Sequence, residues 1–526
     1  MAFTHQERAL RKVAVIGSGQ IGPDIALYFA KTLAPDGTQI VVVDVSPEAL
    51  KAGRAKLEKK VGKGVETGAF TAELQATMLA SLQWTTDYGA IAGADLVIEA
   101  ATEDETLKGR IFAQVESLVD ERAILASNSS HLTPEAIFAN ARRAERTLVI
   151  HYFFPAERNP IVEIVPAKHT APAVVDWLLS FYEAIGKVPI RVGSRYGYAL
   201  DPVFEGLFQA AAQLAEAGVA TTKQIDQIQR KALGMTVGSF TAMNLTGGNP
   251  ITKVGLAHYH DAIHRWFTPP PSLVAKVEDR TPWDVPARGE TVEVPPEVEQ
   301  KVTDALRGAY FGLAGEVVDA GLISIGDFDM ALELALDMAP AFRLMNRLGT
   351  GEALRLVEAF AAANPGFPVP RCIAEHGRAN RPFDIPVILT RDVEGVRVLT
   401  IRRPKVLNAL DEAVFAELER RFLEADADPA VQAVVLTGFG RKAFVAGADV
   451  HFLARIETPE QGEATARASQ QVLDKIAACR KPSVCALNGL AFGGGIELAM
   501  ACSMRIAKKG LNPLAAQPEA NLGIIP

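Results

Sequence analysis

The chain is 526 residues long, 48% hydrophobic and 22% charged, with a formal net charge of -8. That length calls for several domains with separate cores, and the composition is that of soluble α/β material rather than a fibrous, disordered or membrane-embedded chain. The negative balance excludes nucleic acid as the main partner, no apolar run is long enough to span a membrane, and no leader-like start is present. The four cysteines form no CxxC pair, which suits a reducing, cytoplasmic setting and points to no metal.

The first strong pattern is VAVIGSGQIG, Val13 to Gly22, followed by PDIALYFA and then QIVVVDV ending near Asp44. It reads as a buried strand, a tight glycine turn, the start of a helix and a second strand closed by an acid. Gly17 permits the turn, Gly19 permits close approach to a pyrophosphate, and Gly22 permits tight packing of helix on strand. The turn Gly17, Gly19, Gln20, Ile21 and Gly22 would then bind a dinucleotide at the helix N-terminus, with Asp44 on a ribose diol, which favours NAD over NADP.

Ala49 to Ala80, charged and rich in alanine, predicts a helical hairpin outside the sheet. ADLVIEA, AILASN, LVIHYFF and PIVEIVP continue the buried strands, giving one mostly parallel sheet up to about Val192. Functional groups gather beyond the carboxyl ends of such strands, which draws attention to Glu99–Lys108, Ser127–Ser130, His151–Pro155 and the segment reaching Glu163.

After Ser194 helices dominate. Ala215–Gly247 and Val318–Gly349 resemble one another, with Gly218 and Gly321, Asp226 and Asp329, and Met235 and Met338 at one common offset, which predicts a duplicated helical domain. The Pro-rich stretch between them predicts a surface connection or flap. Asn364 to Pro386 reads as a Pro- and Gly-rich break. A second α/β pattern follows: VRVLTI, a helix from Asp411 to Glu424, QAVVLTG, a helix from Glu463 to Ala478, and KPSVCALNG.

VAVIGSGQIG, VIEAATEDETLKGRIF, ILASNSS, HYFFP and NPIVEIVP together resemble the 3-hydroxyacyl-CoA dehydrogenases up to about Glu375. FVAGADV and ALNGLAFGGGIELAMA resemble the enoyl-CoA hydratase/isomerase, or crotonase, superfamily from about Pro386. The order of the halves is similar to that of one group of prokaryotic bifunctional β-oxidation proteins. The fold class so implied is a Rossmann-type α/β NAD domain at 1–193, helical dehydrogenase C-terminal domains at 194–295 and 296–375, a linker at 376–385, and an incomplete crotonase-type α/β domain at 386–526.

The resemblance implies that His151 takes the proton of the 3-hydroxyl while NAD receives hydride from C3, and that Glu163 orients the imidazole. Ser130 and Asn128 match the segment in which the serine meets the substrate. Glu103 and Lys108 match residues near the cofactor and the CoA phosphate side, although a charged, exposed helix start would also explain them. Two departures stand out: HFFNP has become HYFFP, with Phe154 for asparagine, and GFxxNR has become GYALDP, with Asp201 and Pro202. Phenylalanine offers no conventional hydrogen bond and Asp201 brings a possible charge, so altered specificity is expected.

In the other half, the N–H groups of Ala448 and Gly494 match the family's oxyanion hole for the thioester oxygen. Glu497 and Glu519 match its two acid/base glutamates, and the presence of both favours a hydratase over an isomerase. Beyond LGIIP the family carries a further glycine-rich segment and helices, without which an incomplete hydratase site is expected. The resulting expectation is hydration of a trans-2-enoyl-CoA to a 3-hydroxyacyl-CoA, then NAD-dependent oxidation to the 3-oxoacyl-CoA. The alternatives are a hydratase with a silent or respecialised dehydrogenase half, or a CoA- and NAD-binding scaffold. Acyl-CoA thioesters, a thiolase and further copies of the chain are the expected partners.

Overall fold

The computed structural model describes residues 3–519 and divides into two compact units, Met1–Ile185 with Pro189–Asp384, and Gly186–Val188 with Ile385–Pro526. The LGIIP end, on which the expectation of an incomplete hydratase site rests, lies outside the described residues. Among the described residues no helix is long and apolar enough to cross a membrane.

The first unit opens with a hairpin that the sequence did not announce, β1 (Phe3–His5) against β2 (Arg8–Leu10). Strands and helices then alternate through β3 (Lys12–Ile16), α1 (Gly22–Leu33), β4 (Gln39–Val43), α2 (Pro47–Glu66), α3 (Ala72–Ala80), β5 (Leu82–Thr85), β6 (Leu96–Glu99), α4 (Glu105–Glu116), β7 (Ile124–Ser127), the short α5 (Pro134–Ile137), β8 (Thr147–Tyr152), β9 (Ile161–Pro166), α6 (Pro172–Ala184) and β10 (Val188–Arg191). The eight-stranded sheet runs β10-β9-β8-β7-β6-β3-β4-β5. Apart from the half-exposed edge strand β5, its strands are apolar and buried on both faces, as a parallel sheet covered by helices requires. β3 sits between β4 and β6, both parallel to it, and β8 pairs antiparallel with β9. Ser46, Thr71 and Asp104 start α2, α3 and α4 by accepting a backbone N–H from three residues on. α2 and α3 are the helical hairpin expected from the alanine-rich run.

The helical layer follows as two sets of five: α7 (Asp201–Glu216), α8 (Thr222–Leu233), α9 (Ser239–Thr246), α10 (Asn249–Ala262) and α11 (Pro271–Asp279), then α12 (Pro296–Asp319), α13 (Ile325–Ala335), α14 (Ala341–Leu348), α15 (Thr350–Ala363) and α16 (Arg371–Arg378). In the first set buried Asp226 accepts the N–H groups of Phe240 and Thr241 at 2.9 and 2.8 Å; in the second, buried Asp329 accepts those of Phe342 and Arg343 at 2.9 and 3.0 Å. Asn244 exchanges two hydrogen bonds with the backbone of Trp283, and Asn346 does the same with Phe383.

Those clasps change the reading of both Pro-rich stretches. Trp283 is buried between Phe208 and Phe240, with ring centroids 5.5 and 4.9 Å away, so part of the expected surface connection is core. α11 and α16 lie inside the stretches read as connection and break, because a proline at or just before the first helical turn starts a helix rather than ending one.

In the second unit β11 (Ile388–Val393), β12 (Val396–Ile401), α17 (Glu412–Ala427), β13 (Ala433–Gly438), β14 (Ala443–Val445), α18 (Val450–Leu453), α19 (Pro459–Ala477), β15 (Ser483–Leu487), β16 (Leu490–Phe492), α20 (Gly494–Ala501), β17 (Met504–Ala507) and β18 (Ala515–Ala516) form two sheets, β11-β12-β13-β15-β17 and β14-β16-β18. Leu399, Leu436, Phe444, Leu418 and Leu498 are among the residues of its own core.

Candidate active sites

The glycine turn leaves the end of β3 at Ile16. Gly17 has φ 103° and donates its N–H to Val43 O at 2.8 Å, and a Cβ there would strike the backbone of Ala100. A Cβ on Gly22 would run into the carbonyl oxygen of Gly17, whereas one on Gly19 would meet nothing within 4 Å. Two of the glycines are therefore demanded by the chain's own packing and the third fronts open space, as a site for an approaching pyrophosphate requires. Asp44, just beyond β4, accepts the N–H of Ser18 at 2.7 Å and that of Ser46 at 2.9 Å, which fixes the carboxylate at the rim of that space. Gln20 reaches across to Thr246 O at 3.2 Å, and Ile21 is the cap residue of α1. These residues fit a dinucleotide. Gly19→Ala is expected to leave Tm within about 1–2 °C, because the new methyl has room, yet to weaken NADH binding about tenfold, ~1.4 kcal/mol. Gly22→Ala is expected to lower Tm by several degrees, since a clash with backbone costs about 1–3 kcal/mol. Thermal unfolding and NADH fluorescence titration separate the two.

His151 and Glu163 are directly opposite one another in the β8–β9 register. The imidazole Nδ1 lies 2.8 Å from Glu163 Oε2, with Glu163 fully buried, so Nδ1 carries the proton toward the carboxylate and Nε2 is the nitrogen turned to the cleft. Asp201, at the start of α7, faces Nε2 at 3.9 Å. Burial pulls the His151 imidazole down, but Asp201 and Glu163 outweigh it and hold the group above its usual range, with His131 working against them. The Asp201 carboxyl is pushed up, chiefly by burial, with Glu205 and Glu163 adding to the shift.

Asn128 holds Tyr152 N–H with its Oδ1 at 2.9 Å, which braces the end of β8 beside His151. The Ser130 hydroxyl is 3.1 Å from His131 Nδ1. Lys108 is not an exposed helix-start residue: it is 1% exposed, with its ammonium 2.7 Å from Glu99 and 3.3 Å from Glu103. The same ammonium donates to Ala101 O at 3.3 Å, so it ties the end of β6 to the start of α4. Glu103 also accepts the Ser129 hydroxyl and the His131 N–H. Burial opposes its charge, but Lys108 and Ser129 keep its carboxyl below the usual range. Phe154 is exposed, and its ring lies 6.0 Å from the Lys56 ammonium.

Sequence reasoning missed His131 and Glu205. Both are buried, with Nε2 of His131 3.5 Å from Glu205 Oε1. Burial works against the imidazolium, but Glu205, Asp201 and Glu103 hold His131 up at about 9. Glu205 lies four residues after Asp201 on one face of α7, and that spacing was the available signal.

In the second unit Gly447, with φ 110°, follows β14. Leu410 N–H donates to Gly447 O at 2.9 Å and Asp449 N–H donates to Leu410 O at 2.8 Å, so Leu410 forms a parallel bridge to Ala448. In such a bridge the N–H of Ala448 itself points to the opposite side. Gly494 is the first residue of α20, where N–H groups have no intrahelical acceptor. Neither N–H is taken up by the bridge or by the helix, as a donor of an oxyanion hole must not be. Glu497 lies on the first turn of α20, and a Cβ on Gly493 would run into the Glu519 carboxylate, so both glutamates border the glycine run. Burial, with Glu519 adding to it, raises the Glu497 carboxyl. Arg403 pins the Ala448 loop by pairing with Asp411 at 2.8 Å and Asp449 at 2.9 Å. Burial opposes the Asp449 charge, but the His451 N–H and Arg403 hold its carboxyl low.

Comparison with known proteins follows the same division. The 3-hydroxyacyl-CoA dehydrogenase NAD binding domain model matches residues 12–195, the 3-hydroxyacyl-CoA dehydrogenase C-terminal domain model matches 197–281, and the enoyl-CoA hydratase/isomerase model matches 391–526. A 3-hydroxybutyryl-CoA dehydrogenase of Mycobacterium tuberculosis is 29% identical over 272 residues, 51% of this chain and 94% of that protein. A 3-hydroxyadipyl-CoA dehydrogenase of Escherichia coli is 34% identical over 238 residues, 45% of this chain and 49% of that protein. The crystal structure of 3-hydroxybutyryl-CoA dehydrogenase from Escherichia coli superposes with a TM-score of 0.62 at 22% identity, covering 71% of this chain and 99% of that one, and so speaks for the fold. The chain belongs to the 3-hydroxyacyl-CoA dehydrogenase family and is an NAD-dependent enzyme of that family fused to an enoyl-CoA hydratase/isomerase domain.

Proposed function

We propose that the two halves act on consecutive intermediates: the hydratase half adds water to a trans-2-enoyl-CoA, and the dehydrogenase half oxidises the resulting (3S)-3-hydroxyacyl-CoA to the 3-oxoacyl-CoA. The observation that carries the dehydrogenase reading is the His151–Glu163 contact at 2.8 Å across paired strands, which leaves Nε2 toward the cleft. Nε2 takes the proton of the 3-hydroxyl, and bound NAD supplies the hydride acceptor. Glu163 holds the imidazole plane and balances the imidazolium as it forms. Asn128 and Ser130 set the neighbouring wall, with Glu103 and Lys108 behind it.

In the other half the N–H groups of Ala448 and Gly494 hold the thioester oxygen while charge develops on it. Glu497, the carboxyl raised by burial and by Glu519, carries the proton destined for C2, and Glu519 activates the water. An aspartate facing His151 where the family keeps an amide supports a respecialised dehydrogenase as the second reading. The matched aspartate caps and asparagine clasps support reading the two five-helix sets as copies of one unit. Four free cysteines suit a reducing, cytoplasmic setting, and homo-oligomers and a thiolase that takes the 3-oxoacyl-CoA complete the picture.

A coupled assay tests the assignment. The chain supplied with enoyl-CoAs of several lengths and NAD is expected to form NADH. Binding of NAD without NADH formation from any 3-hydroxyacyl-CoA would leave only the hydratase reading. Binding of NAD and of CoA thioesters with neither hydration nor NADH formation by the unaltered chain would point to the scaffold.

A further inference from the structure

The His151 cleft holds more charge than an acid–base pair needs. Glu163 on β9 approaches Nδ1 at 2.8 Å, and Asp201 on α7 approaches Nε2 at 3.9 Å, so the ring lies between two carboxyl groups, one at each nitrogen. Glu205, one helical turn beyond Asp201, is paired with buried His131 from the segment after β7. Beneath them Glu103 and Glu99 are tied to Lys108, which keeps that triplet's charge local. His131 is the one cation pressing on His151 from this set, and Glu205 at 3.5 Å largely answers it. The balance at His151 is therefore negative and Asp201 supplies its adjustable part. Two neutral rings also lie against it, Phe153 at 4.4 Å and Tyr198 at 5.8 Å between centroids. A carboxylate within about 4–6 Å of a shielded imidazole favours its protonated form by about one to three pKa units.

We propose that Asp201 is a positioning residue that keeps the catalytic proton on His151, so that at neutral pH the dehydrogenase half stands ready to reduce a 3-oxoacyl thioester and oxidises a 3-hydroxyacyl thioester fastest in alkaline medium. The proposal rests on the dehydrogenase reading above and goes beyond it. In oxidation the 3-hydroxyl proton must pass to an empty Nε2 as the C3–H bond breaks with its electron pair. In reduction Nε2–H gives its proton to the 3-oxo oxygen while C3 gains hydride from reduced nicotinamide, and solvent returns the proton to the ring. A carboxylate beside Nε2 fills that nitrogen with a proton: it depletes the form that starts oxidation and enriches the form that starts reduction. Because His151 and Asp201 interact, they shed protons as a pair, and the pH profile reports the pair. The equilibrium of the overall reaction is untouched; what moves is the pH window in which each direction is fast.

The test is the pH profile of kcat/KM in both directions, with 3-hydroxybutyryl-CoA plus NAD and acetoacetyl-CoA plus NADH, for the full chain and for Asp201→Asn and Asp201→Ala. Both variants remove the negative charge, and only the first keeps the shape. The expected result is that the acid limb of oxidation, and the matching alkaline fall of reduction, move to lower pH by about one to three units in both. A parallel titration of the full chain labelled with 13Cε1-histidine, followed by NMR without cofactor, is expected to move the His151 resonance the same way; this reading survives even if a variant turns over poorly. An unshifted limb and an unshifted resonance in both variants overturn the proposal while leaving the dehydrogenase assignment intact. Absence of turnover by the unaltered chain at every pH overturns both.

Discussion

His151→Ala is expected to lower NADH formation from a 3-hydroxyacyl-CoA by about 10²–10⁴-fold, the range that a positioned general base contributes. The loss falls on kcat, because the imidazole takes the proton in the transition state while the CoA part of the substrate binds elsewhere. Enoyl-CoA hydration by the same preparation should stay within about twofold, since the hydratase residues belong to a different compact unit. Glu163→Gln should give a smaller loss at full NADH binding. The amide keeps the volume of the buried carboxylate but withdraws the charge that balances the imidazolium. Comparable losses in both activities for His151→Ala would instead indicate a folding defect.

The second large effect is in the other half. Glu497→Gln and Glu519→Gln are each expected to reduce hydration of crotonyl-CoA by about 10²–10⁴-fold, the contribution of one acid–base group, measured as loss of the ultraviolet absorbance of the conjugated thioester. Glutamine is isosteric but cannot exchange a proton at neutral pH, and the reaction needs one group to activate water and another to serve C2. Because burial and Glu519 together raise the Glu497 carboxyl, Glu519→Gln also removes one cause of that shift, so the alkaline limb of the remaining activity, where Glu497 gives up its proton, should move to lower pH. NADH formation from a ready-made 3-hydroxyacyl-CoA should be unchanged in both variants. Retained hydration in either would remove that residue from the mechanism.

Much of the dehydrogenase frame was legible because its signals are local. A buried parallel strand must be an apolar run, a turn that binds phosphate must be glycine-rich, and His151 sits at the end of such a run. Glu163 was legible through its motif, and the antiparallel register explains its distance of twelve residues. What could not be read depends on contacts between remote segments. His131 is one residue past a matched serine, and only the fold brings α7 and Glu205 against it. Trp283 and Phe383 looked like loop aromatics because proline surrounds them, but Asn244 and Asn346 clasp their backbones and draw both rings inward. The hairpin of β1 and β2 was hidden by its length, three residues in each strand. Lys108 shows the converse: its sequence context fits an exposed helix start, and its burial follows from two acids that the chain places beneath it.

The position of Asp44 bears on any attempt to redesign cofactor preference. Its two oxygens are already engaged by the N–H groups of Ser18 and Ser46, one in the glycine turn and one at the start of α2, so the carboxylate doubles as a brace between them. A neutral or basic replacement intended to admit a 2′-phosphate removes a charge and also strands two backbone donors, each worth about 1–3 kcal/mol if left unpaired. Any exchange of Asp44 therefore acts on loop integrity as well, and a successful redesign has to supply a substitute acceptor together with the new charge.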